Sequence, residues 1–160
     1  MVEKLSVIHL LLVIAGAACV YLVIRELRRP YVSQWRLFAP GTAALFVAAE
    51  MFLIQVAAGQ PRWPFLAAAG IGLVVGGVRA MTIGLKHDLY RPQVMISQPA
   101  KQVLLLVGLA VGLCVVLEIA GTLARQPSLR LWASLSAAVC AAAMLMRALV
   151  LTLRLRRGHV

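Results

Sequence analysis

Acidic side chains are what this sequence has least of: five Asp and Glu in 160 residues, against 16 Lys and Arg. Charge of either sign is sparse, at 13% of residues, while 62% are hydrophobic. An ordinary soluble domain is about 25% charged and about 45–50% apolar. A water-soluble chain of this length has no way to bury so much apolar surface, which excludes a soluble domain. The net charge of +11 does not indicate nucleic acid as a partner, because the basic residues fall in short clusters between apolar runs and not on one face. Cysteine is limited to Cys19, Cys114 and Cys140, all inside apolar runs and none in a CxxC, so they give no reading of the redox compartment. Histidine is limited to His9, His87 and His159, and only His9 lies in an apolar run, so a haem pair across helices lacks its second ligand. HExxH, GxSxG, Walker A and GxGxxG in strand–helix context are absent, as is any cluster of metal-ligand spacing. The sequence therefore predicts no enzyme, no catalytic residue, no metal and no cofactor.

What is present is apolar length. A bilayer core of about 30 Å is crossed by roughly 20 residues of helix, and segments 5–24, 38–58, 65–85, 102–123 and 131–153 meet that requirement. The first apolar run is longer than a signal-peptide core and its basic cluster follows it, so it reads as a retained helix. Pro30, Pro40, Pro61, Pro64, Pro92, Pro99 and Pro127 are all expected at helix ends or in connections, where proline is tolerated. The expectation is an all-α polytopic membrane protein, residues 1–160 forming one membrane domain, a bundle of five transmembrane helices.

Orientation follows from counting basic residues. The connections after spans one and three and the C-terminal end hold Arg25, Arg28, Arg29, Arg36, Arg79, Lys86, Arg91, Lys101, Arg147, Arg154, Arg156 and Arg157. The opposite side holds only Lys4, Arg62, Arg125 and Arg130. An excess of basic residues stays in the cytoplasm, which puts the N-terminus outside and the C-terminus inside. Trp35, Trp63, Trp132, Tyr31 and Tyr90 fall near the span ends, as interfacial anchors do.

Small residues recur at intervals of four: Gly72, Gly76 and Ala80 in span three, Gly108 and Gly112 in span four, and Ala133, Ala137 and Ala141 in span five. Such stripes let two helix backbones approach closely where lipid supplies no hydrophobic force, and packing within the chain is the expected use. In the connection at 86–101, LYRPQVMIS partly alternates and predicts a short strand or surface segment; His87 and Asp88 read as a solvated pair.

Two carboxylates lie inside spans, Glu50 and Glu118, where an ionised side chain costs on the order of 3 kcal/mol. At about 1.5 Å per residue, Glu50, Glu118, His9 and Gln55 all fall in the outer half of the bilayer, while Arg79 and Arg147 lie near enough to the inner boundary to snorkel. Cys114, Glu118 and Thr122 are four apart and share one face. If spans one, two and four meet, His9, Glu50 and Glu118 form a buried acid–base cluster able to share a proton or bind a cation. The alternative is that the carboxylates are interhelical ties, paired with Gln55, Thr122 and backbone carbonyls. Cys114 and Cys140 lie at about equal depth on consecutive spans and form a candidate thiol pair, although cysteine is also a common small filler of buried helices.

The order of features resembles the CcdC-like family of small bacterial membrane proteins. The likeness rests on a first span ending in RELRRP, a second opening near Pro40, a glycine-rich third span ending in GGVRAMTIGLKHD, the segment YRPQVMISQPAKQVLLLVGL leading into span four, and MRALVLTLRLRR in span five. It implies a five-helix membrane fold, associated by name with cytochrome c maturation, and brings no active-site residues. The reading of the whole sequence is an integral protein of the bacterial inner membrane, in contact with the lipid bilayer and with a membrane-protein partner or further copies of itself. It predicts a structural or accessory subunit of a membrane complex. The alternatives are a small oligomeric proton- or cation-coupled transporter or channel, and an intramembrane thiol relay.

Overall fold

The computed structural model describes residues 7–28, 34–87 and 94–157. Lys4, Arg29, Pro30, Tyr31, Asp88, Tyr90, Arg91, Pro92 and His159 lie outside the described residues, as do the side chains of Trp35, Lys86, His87 and Arg157. Five helices run in order, α1 (Val7–Leu27), α2 (Gln34–Ala57), α3 (Trp63–Thr82), α4 (Gln98–Leu123) and α5 (Pro127–Arg157), with strands β1 (Leu85–His87) and β2 (Val94–Ile96) between α3 and α4. All five helices are long and apolar enough to cross a membrane, which makes this an integral membrane protein.

Three helices open on proline. Pro64 and Pro99 stand in the first turns of α3 and α4, and Pro127 begins α5, where the missing N–H has no intrahelical partner to lose. Pro40 departs from the expectation that every proline lies at an end, because α2 begins at Gln34 and carries Pro40 inside it. Its ring removes the hydrogen bond to the Arg36 carbonyl one turn earlier. The Pro40 carbonyl itself accepts the Cys19 thiol at 3.7 Å. Between α2 and α3, Gly59 takes φ +83, a left-handed conformation that glycine adopts without strain. The turn between α4 and α5 instead places Arg125 at φ 53, with Gln126 N–H returning to the Gly121 carbonyl at 2.9 Å.

α1, α2, α5 and α4 form a ring in which each helix packs on the next. Leu12, Cys19, Val47, Met51, Val111, Val115, Ala137 and Ala141 fill its core. The small residues explain the closeness. Gly108 and Gly112 of α4 sit under Val23 and Val20 of α1, and Gly16 of α1 sits under Val115 of α4. α3 stands outside this ring and packs along α5, with Gly72 against Val139 and Ala142 and Gly76 against Ala143. A methyl group at Gly76 would lie 2.6 Å from the Ala143 Cα, inside van der Waals contact. The open carbonyls at the end of α3 are met by Arg154 of α5, whose Nη1 donates to Ala80 at 2.9 Å, Met81 at 3.3 Å and Ile83 at 2.8 Å.

The α3–α4 connection forms an antiparallel pair, Leu85 opposite Ile96, Lys86 opposite Met95 and His87 opposite Val94; the alternating segment supplies β2. Consecutive helices are antiparallel, so the α2–α3 and α4–α5 turns lie at one end of the bundle, the turn end, and the β-pair lies at the other, the hairpin end. In every span more than half of the apolar stretch lies on the outside of the bundle. This part, such as Leu66, Val74 and Leu106, is apolar surface of the kind lipid covers. Trp63 and Trp132 are both largely exposed near the turn end, at the level where amphipathic rings settle.

Candidate functional site

Glu118 is the centre of the polar core. It stands on α4 among Leu117, Ile119 and Val115, and its helix face turns it into the bundle, where it is fully buried. The three-residue turn after α4 then brings the start of α5 back alongside it. Arg130 Nε donates to Glu118 Oε1 at 2.8 Å, and Gln55 Nε2 of α2 donates to Oε2 at 3.4 Å. Ser134 Oγ lies 3.5 Å from the same Oε2 but has one proton, and its 2.7 Å bond to the Arg130 carbonyl takes it. One carboxylate thus ties α2, α4 and α5 together. Its own backbone carbonyl accepts Thr122 Oγ1 at 2.8 Å, so the shared face of Cys114, Glu118 and Thr122 is kept.

The guanidinium is the partner that reading the sequence missed. Apolar length alone starts span five at residue 131 and leaves Arg130 among the charges of a connection. α5 begins at Pro127, which places Arg130 in its first turn, and Glu118 and Arg130 lie nearly equally far from the turn on antiparallel helices. Arg130 also borders an open pocket with His9, Thr122, Arg125 and Pro127, so the buried pair adjoins a route to the turn end. His9 is buried at this pocket.

Glu50 does not join them. It is half-buried on α2, and its Oε2 is shielded without a hydrogen-bond partner, so the acid–base cluster of His9, Glu50 and Glu118 is not assembled as one hydrogen-bonded group.

The cysteines converge more than spacing indicated. Cys19 and Cys114 lie in one apolar core with Cys140 packed against it. All three are free thiols, and among the described residues no group of three His, Cys, Asp or Glu is placed to hold a metal ion.

At the hairpin end the charges are basic. Glu26 of α1 faces Arg147, Lys101 and Arg36, and Arg147 of α5 lies within reach of Arg79 of α3 as well. No family model matches this sequence, and no curated protein or solved structure matches it either.

Proposed function

We propose that this chain is a non-enzymatic structural or accessory subunit of a complex in the bacterial inner membrane, with its N-terminus outside and its C-terminus in the cytoplasm. The observation that carries the reading is the occupation of Glu118. Its carboxylate is held by a guanidinium at 2.8 Å and an amide at 3.4 Å from the helices on either side. Breaking such a buried pair is costly, so a carboxylate held on both oxygens by its own chain is suited to tying helices in register. The orientation rests on twelve basic residues against four, and the bacterial setting on the likeness of layout to the CcdC-like family, membership of which is part of the proposal. The partners are the lipid bilayer and another membrane protein, since the described connections are short and carry little surface outside the bilayer.

A second reading, the oligomeric proton- or cation-coupled transporter, draws on Glu50, whose Oε2 is buried with no partner, and on the open pocket beside His9 and Arg130. Proteoliposomes under a pH gradient and, separately, a potassium gradient separate the two. The accessory reading predicts fluxes equal to those of protein-free vesicles. A flux that Glu50→Gln or Glu118→Gln removes, with helicity and melting unchanged, would replace it with the transporter.

A further inference from the structure

The arginines of the described helix bodies divide into those whose guanidinium has a partner and those left open. Arg130 is paired with Glu118, and Arg154 caps α3. Arg79 and Arg147 make neither a hydrogen bond nor an ion pair within 4.0 Å to any described residue. They share one place. α3 and α4 each pack along α5 without forming a helix–helix interface of their own, which leaves a groove between them with α5 as its floor. Val75, Val103, Val107 and Met144 line it, together with Arg79 and Arg147.

The two arginines lie at one level. Gly76 packs on Ala143 and Gly77 on Met146, which sets Arg79 and Arg147 side by side one turn nearer the hairpin end than Val75 and Ala143. α3 has 20 residues, about 30 Å of helix, and Arg79 is three residues from its end, so the Cα atoms of both arginines fall about 5 Å inside the hydrocarbon boundary, within reach of it for a long side chain. Like charges at that depth repel each other and lose hydration. Glu26 interacts electrostatically with Arg147 and is shared with Arg36 and Lys101.

We propose that this groove binds an anionic phospholipid, its phosphate held between Arg79 and Arg147 and an acyl chain lying against Val75, Val103, Val107 and Met144. Basic pockets between membrane helices accept such headgroups, and guanidinium donors match phosphate oxygens in pairs. The apolar walls continue from the arginines toward the middle of the bilayer, where a free anion gains nothing and an acyl chain does.

The test titrates the delipidated full-length protein, in a neutral detergent, with phosphatidylglycerol or phosphatidylcholine and reads bound lipid by native mass spectrometry. Phosphatidylglycerol is expected to bind about tenfold tighter or more, and R79Q/R147Q to remove that preference. Val107→Trp fills the groove without changing charge and is expected to weaken phosphatidylglycerol as well. Arg156→Gln, an exposed arginine at the same end, is expected to leave it unchanged. Arg79 is exposed, so Arg79→Gln alone, expected to weaken the anionic lipid severalfold, serves if the double variant does not fold. Equal binding of the two lipids, an undiminished preference in the arginine variants, or displacement by millimolar inorganic phosphate would overturn the proposal, the last by showing a site for free anions.

Discussion

A single residue decides how the polar core is read, and its energetics are asymmetric. Glu118 is fully buried, whereas the side chain of Arg130 is 22% exposed toward the open pocket. Removing the arginine strands a carboxylate that water does not reach, while removing the carboxylate's charge leaves a guanidinium that water does. Arg130→Met is therefore expected to destabilise by about 3 kcal/mol and Glu118→Gln by about 1 kcal/mol. Joining the two should recover most of the loss, read as a coupling energy from equilibrium unfolding in mixed micelles. Glu50→Leu is expected to stabilise by about 1 kcal/mol, because it removes a carboxylate with a shielded oxygen that nothing bonds. Equal losses at Arg130 and Glu118, or a loss at Glu50, would contradict the assignment of the tie. Gln55 and Glu118 were placed at similar depth by counting residues, and they do meet. Arg130 was not legible in the same way, since its role depends on a helix starting four residues before the apolar run.

Elements were more legible than their arrangement. Apolar length located all five helices, and proline in the first turn marked three of their starts. Pro40 misled because α2 continues through its polar end, QWR, for a turn and a half before the proline. Nothing in the hydropathy of α3 marks it as the helix outside the ring, since all five helices are long and apolar enough to cross a membrane. Its small-residue stripe gave the only sign of a close neighbour, and the structure supplies the identity of that neighbour. Two glycines of α3 make the point testable. Gly70 has no atom within 4 Å of where a Cβ would lie, whereas Gly76 abuts the Ala143 backbone. Gly70→Ala is expected to be neutral or to stabilise by about 0.5 kcal/mol through helix propensity. Gly76→Ala is expected to cost about 2 kcal/mol by forcing α3 off α5. Thermal unfolding in detergent compares them, and similar melting of the two variants would mean that α3 is not held by this contact.

At the scale of the molecule, α5 is the axis of the architecture. Its 31 residues reach about 46 Å, well beyond the hydrocarbon core of about 30 Å, and it touches α2, α3 and α4. The proposed orientation rests on the excess of Lys and Arg at the hairpin end. A fluorescent protein fused after Val160 is expected to be bright and an alkaline phosphatase fused there inactive, as for a C-terminus in the cytoplasm; the reverse pattern would invert the topology.

The central claim is that this bundle serves a larger assembly, and the mass and composition of the particle extracted from native membranes in mild detergent test it most directly. The account predicts foreign subunits in fixed stoichiometry with the chain. A homogeneous particle made of this chain alone would contradict it.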